Sequence, residues 1–152
     1  MNTNKTNEIF GHALFIVGAL KIVFTILVVM QLSTNLVAIS NGGTVNGEYF
    51  PIFSTMLGSA QLILAVGSVI MIIVNSRNNP EVIGGYLIGL GALLLEFITP
   101  TILAFFVVFI ECSLYMKAGS EIINKNSRYK KETKKSKRKV DASEEWFYSE
   151  KK

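Results

Sequence analysis

"IFGHALFIVGALKIVFTILVVMQL", Ile9 to Leu32, decides the fold. This run carries one charge, Lys21, in an otherwise apolar stretch. About 20 apolar residues suffice for a helix to cross the hydrocarbon core of a bilayer. The run is too long for the core of a signal peptide and no convincing small-x-small cleavage site follows it, so it reads as a retained membrane helix.

Three more apolar blocks follow, and they predict an all-α four-helix transmembrane bundle. The expected spans are residues 9–32, 53–74, 80–99 and 101–116. A single helix through the last two would be about 55 Å long at 1.5 Å per residue, against a core of about 30 Å, so a hairpin turn is expected at Thr99-Pro100. Asn79 is placed to cap the third helix, with Pro80 at its first position and Glu81 at the positive dipole end. Between the first two spans lies an outer loop of about 20 residues; its "NGG", flanked by "LVAIS" and "TVNGEYF", is compatible with a two-stranded hairpin or an irregular loop.

Charge orients these spans. Lys5 precedes the first, Arg77 lies between the second and third, and 12 of the 15 Lys and Arg residues follow residue 116. The two remaining loops hold none. Both termini are therefore expected in the cytoplasm. Residues 1–8 form a short cytoplasmic start, 9–116 a membrane domain of net charge −2 counted from the first residue, and 117–152 a cytoplasmic tail of net charge +6. Within the tail, "KNSRYKKETKKSKRK" (Lys125–Lys139) has nine basic residues and one acid. Lys130, Lys131, Lys134, Lys135, Lys137, Arg138 and Lys139 are the expected contacts for anionic lipid. The tail is expected to be disordered, with an acidic-aromatic end, "DASEEWFYSEKK". Nucleic acid is a poor fit, because no aromatic platform is interleaved with the charge.

Without water, membrane helices associate by close packing, so small residues mark contact faces. The third span carries Gly85, Gly89, Ala92 and Glu96 on one stripe, the second Gly58 and Gln61, and the first Gly18 beside Lys21. Gly85 and Gly89 make a GxxxG, read as internal packing. Polar residues lie on or beside each small-residue face, so a partly polar interior is expected.

Four polar residues in the spans are costly there and are the candidate site: Lys21, Glu111, Glu96 and Gln61. Helical side chains lean toward their own N-terminus. By that rule Lys21 is expected to pair with Glu111, since to meet Glu96, near the outer surface, it would have to point against its lean. The two carboxylates are not expected to work as a pair. His12 and Cys112, the only His and Cys, are expected to be packing material, and no metal or cofactor set exists in the sequence. Catalytic motifs are missing as well. The expected function is therefore non-enzymatic: an accessory, regulatory or immunity-type membrane protein that binds another membrane component. The alternative is a small channel or transporter with a path through the four polar residues.

Overall fold

A computed structural model describes residues 3–44, 50–98 and 101–149, with side chains left undescribed at 50, 51, 97, 101–105 and 137–149. The order is α1 (Thr3–Ser40), α2 (Phe50–Asn78), a 3-10 turn (Pro80–Val82), α3 (Ile83–Ile98) and α4 (Thr101–Ser149). No strand occurs among the described residues. Two segments, Thr3–Ser40 and Ile52–Asn78, are long and apolar enough to cross a membrane.

Consecutive helices run antiparallel. Asn7 meets Asn75 and Phe24 stacks on Phe53, so α1 and α2 oppose each other. Gly84 lies beside Lys125 and Gly89 beside Ala118, which opposes α3 to α4. Gly11 lies beside Gly119 and Gly18 beside Cys112, which closes the bundle by pairing α4 with α1.

The buried positions explain why these helices associate. On α1 they include Asn7, Gly11, Leu14, Gly18, Lys21 and Thr25, at spacings of four, three, four, three and four. On α2 they are Leu57, Gln61, Leu64, Ser68, Met71 and Asn75, in the same alternation. A repeat averaging about 3.5 residues keeps one seam facing its neighbours, which is the geometry of bundles whose helices cross at small angles. The opposite faces carry Ile9, Ile16, Val23, Ile63, Val66, Ile73, Leu87 and Ile110, all exposed. That apolar exterior far exceeds the scattered Leu and Ile of an ordinary soluble surface.

The closest approaches are made at glycine. A Cβ at Gly18 would stand 3.0 Å from the Cys112 carbonyl oxygen, and one at Gly85 3.0 Å from that of Ala118. Gly89 is packed against Leu14 and Ala118, and Ala92 is fully buried. The stripe on α3 is thus occupied inside the chain. Gly58 differs, since a Cβ there would meet nothing within 4 Å.

Three expectations from the sequence need correction. First, "LVAIS" is helical, and "NGG" ends the helix rather than turning a hairpin. Gly42 adopts φ +72°, its N–H donates to the Ile39 carbonyl, and the Gly43 N–H donates to the Ala38 carbonyl. This is the Schellman pattern, in which a left-handed glycine satisfies the last helical carbonyls. Val45 to Tyr49, most of the second half of the proposed hairpin, lie outside the described residues.

Second, Asn79 does not cap α3. Pro80 opens a 3-10 turn instead, and the Asn79 carboxamide makes no capping bond. Both of its side-chain polar atoms are buried and without a hydrogen-bond partner in the structure.

Third, the residues after Met116 are helical, not disordered. α4 runs without a break to Ser149. Nothing stops it: after Pro100 there is no proline and only one glycine, Gly119, and the stretch beyond Met116 is rich in Lys and Glu, which are good helix formers. Its packed part reaches well beyond Met116, because Ala118, Ile122 and Asn126 are buried. Thr99 and Pro100, where the hairpin turn is expected, lie outside the described residues; α3 ends at Ile98 and α4 begins at Thr101.

Candidate functional site

Three of the four helices deliver a polar residue to the seam at the same height as the Lys21 ammonium, which projects from the middle of α1. The Lys21 Nζ donates to Glu111 Oε1 at 2.5 Å. It also lies 3.0 Å from Glu96 Oε1. The Gln61 Nε2 donates to Glu96 Oε2 (3.0 Å) and to Glu111 Oε1 (3.4 Å). One ammonium and one carboxamide are therefore shared between two carboxylates.

The expected partner of Lys21, Glu111, is in place. Lys21 meets Glu96 as well, although its lean was expected to disfavour that contact, and the carboxylates, expected near opposite ends of their helices, come together. The physical reason is the same side-chain lean, applied to α3 as well. α3 and α4 are antiparallel, so Glu96 and Glu111 lean along opposite directions and converge. Lys21 has a stem long enough to meet both. The two carboxylates are close neighbours, since both touch one nitrogen, at 2.5 and 3.0 Å.

The site is not symmetric. The side chains of Lys21 and Glu111 are 7% and 2% exposed, whereas that of Glu96 is 44% exposed. Glu96 borders a lateral opening of about 330 Å³ between α2 and α3, lined also by Gly58, Gln61, Leu62 and Leu93. The bare Gly58 backbone helps to keep that opening clear. Thr25, one turn along α1, donates to the Lys21 carbonyl and so adds no further partner to the ammonium.

A second polar layer was missed by sequence reasoning. Asn7 and Asn75 exchange amide hydrogen bonds, Nδ2 of each donating to Oδ1 of the other at 2.9 Å. The Tyr86 hydroxyl donates to Asn7 Oδ1 (2.9 Å), and the Asn7 Nδ2 also reaches Asn126 Oδ1 (3.4 Å). Asn126 donates to the Asn4 carbonyl (2.8 Å) and Asn75 to that of Met71 (2.8 Å). The signal was available: carrying the α2 stripe one heptad past Ser68 lands on Asn75, and carrying the α1 stripe back from Gly11 lands on Asn7.

Asn7 and Lys21 on α1, Gln61 and Asn75 on α2, and Glu111 and Asn126 on α4 belong one to each layer. On all three helices the layers stand about four turns apart, roughly 21 Å along the axis. Between them the seam is filled chiefly by Leu14, Val17, Leu64, Met71 and Ala118, with Ser68 and the buried Tyr115 hydroxyl as the polar exceptions. Both layers are thus held in register by an apolar slab.

The remaining predicted residues fall elsewhere. Cys112 is buried and free, next to Glu111 in sequence, and His12 is exposed rather than packed. Lys130 pairs with Glu8 at 3.2 Å, tying α4 to the start of α1, while Lys131, Lys134 and Lys135 are exposed. The side chains of Lys137, Arg138 and Lys139 lie outside the described residues. No cluster of His, Cys, Asp or Glu suited to a metal ion occurs among the described residues. Compared with known protein families, with characterised proteins and with solved structures, the chain matches none.

Proposed function

We propose that this chain is a four-span membrane protein with both termini in the cytoplasm, and that it works by binding another membrane component rather than by catalysis. The observation that carries the reading is the lateral exposure of Glu96. Its carboxylate faces an opening whose rim includes Leu62, an exposed residue of the apolar exterior. A carboxylate at the surface of a membrane span is expensive unless it meets a cation, a hydrogen-bond donor or water. Within the chain it shares one ammonium with Glu111, so the site has one carboxylate more than it has cations. A basic or strongly donating group on a partner helix, entering between α2 and α3, would complete it.

Several features support four spans. The exteriors of α3 and α4 are as apolar as those of the longer helices, with Leu87, Leu94, Phe106 and Ile110 exposed. The 3-10 turn and α3 together are long enough for a short, nearly upright crossing. Apart from Lys21, Lys and Arg flank the spans on one side of such a bundle. The apolar slab between the two polar layers weighs against the alternative of a channel or transporter path through Lys21, Gln61, Glu96 and Glu111. Lys130, Lys131, Lys134 and Lys135 would add attraction to an anionic cytoplasmic leaflet.

A photo-crosslinking residue at Leu62, in native membranes, tests the reading. A discrete protein adduct that disappears with Glu96→Gln and persists with Glu96→Asp is the expected result. Adducts to lipid alone, or an adduct indifferent to Glu96→Gln, would overturn it. In proteoliposomes the chain by itself should carry no ion or solute flux; flux abolished by Glu96→Gln would establish the channel instead.

A further inference from the structure

The exposed residues of α4 change character at Lys117: Phe106, Phe109 and Ile110 are apolar, whereas the face from Lys117 to Arg128 is polar. Lys117, Ser120, Glu121, Asn124, Lys125 and Arg128 line one shallow pocket of about 320 Å³. Glu121 is already engaged, accepting from Lys125 Nζ at 2.5 Å. Lys117 and Arg128 have no carboxylate partner among the described residues. Asn124 Nδ2 donates to Ser120 Oγ (3.3 Å), which leaves the Ser120 hydroxyl hydrogen to donate outward. The pocket therefore carries two uncompensated cations and a free hydroxyl donor, a combination suited to an anion.

The pocket is also built on a fixed frame. The opposite side of the same turns, Ala118, Ile122 and Asn126, is buried against α1 and α3. Gly84 lies so close that a Cβ there would be 3.1 Å from Glu121 Oε1 and 3.5 Å from Lys125 Nζ. Lys117 and Arg128 thus project from a packed segment, unlike the basic residues further along α4. Gly84 also marks the height of the pocket: it is level with the start of α3, close to the Asn7–Asn75 layer. In a four-span bundle, on which this inference rests, that end of α3 lies at the cytoplasmic boundary of the hydrocarbon, where lipid phosphates are found.

We propose that the Lys117–Arg128 pocket binds the phosphate of an anionic phospholipid with an uncharged, hydroxylated headgroup. Lys117 and Arg128 stand eleven residues apart, roughly 16 Å along α4, so each meets a different part of the lipid: Lys117 and Ser120, nearer the hydrocarbon, take the phosphate, and Asn124 and Arg128 hydrogen-bond the headgroup hydroxyls beyond it. A zwitterionic headgroup is disfavoured because the only acid in the pocket, Glu121, is occupied by Lys125. This site is distinct from the basic run at Lys130–Lys139, which offers charge without a pocket.

The test is native mass spectrometry of the full chain released from mild detergent, titrated separately with phosphatidylglycerol, phosphatidylcholine and inorganic phosphate. Phosphatidylglycerol should be retained over phosphatidylcholine. At roughly 1 kcal/mol per basic side chain, Lys117→Gln with Arg128→Gln should weaken it about thirtyfold. The charge-retaining Lys117→Arg with Arg128→Lys should keep most of the affinity. Glutamine in place of Lys134, Lys135, Lys137, Arg138 and Lys139, which attract the leaflet as a whole and do not line the pocket of a single retained lipid, should change it by less than about threefold. An unchanged melting temperature checks the fold of each variant. The proposal is overturned if the double glutamine variant holds phosphatidylglycerol like the wild type, or if the distal substitutions abolish binding. Inorganic phosphate bound as tightly as the lipid would assign the pocket to a free anion and overturn it too. Detergent release makes the result independent of any protein partner at Glu96.

Discussion

Replacing Lys21 by methionine keeps most of the side-chain volume and removes the ammonium that two carboxylates share. Glu111 is 2% exposed, so it is left almost wholly desolvated with only the Gln61 amide as donor. Breaking a buried pair by deleting one member typically costs about 3–5 kcal/mol. At roughly 2–4 °C per kcal/mol for a chain of this size, the melting temperature in nanodiscs should fall by on the order of 10 °C. The other members rank below it. Glu111→Gln leaves Lys21 with Glu96 and should cost less. Glu96→Gln should cost least, because that side chain is 44% exposed and its partner keeps Glu111. The exchange Lys21→Glu with Glu111→Lys again places one ammonium between two carboxylates and should recover much of the loss. So should the fully neutral triple variant Lys21→Met, Glu96→Gln, Glu111→Gln, since an apolar or neutral core often replaces a buried ion pair without penalty. Thermal melting of these variants beside the wild type decides the matter. An exchange variant no more stable than the worse single variant, or a Glu96→Gln variant as unstable as Lys21→Met, would refute the shared-ammonium reading.

Other consequences are open to direct measurement. In a Cys112→Ala background, a cysteine at Asn41 should react with an impermeant thiol reagent from outside intact cells and one at Asn78 should not; the reverse would invert the topology. Gly18→Val should destabilise strongly, because a Cβ there already meets the Cys112 carbonyl at 3.0 Å, whereas Gly58→Ala should be neutral or slightly stabilising, with nothing within 4 Å. Denaturant or thermal midpoints compare the two, and equal losses would contradict the helix contacts described. Asn75→Leu removes both amide bonds to Asn7, leaving it Tyr86 and Asn126, and at about 0.5–1.5 kcal/mol per bond should cost about 1–3 kcal/mol. Asn75→Gln melting like the wild type would show that the layer tolerates repositioning and is not a close-fitted network.

Much of this was legible in the chain itself. Apolar runs longer than about 20 residues leave little choice but helix, since every backbone group must be satisfied within its own segment when no water is present. The single basic residue in Ile9–Leu32 demanded a carboxylate, and the lean of helical side chains pointed to Glu111. The small-residue stripes on α1 and α3 located the seams, because close helix contact requires them. Other features depended on partners that local sequence does not name. Whether "NGG" turns a hairpin or ends a helix depends on how far α1 continues, and it was used as a helix end. Whether the basic stretch after Met116 is tail or helix depends on α4 packing as far as Asn126 against α1. Glu96 joining Lys21 required the tertiary arrangement, in which antiparallel α3 and α4 aim their carboxylates at one another across a shared height. The asymmetry of that cluster, Glu111 sealed and Glu96 open between α2 and α3, is a property of packing alone: two chemically identical side chains acquire different surroundings only when the helices have been set side by side.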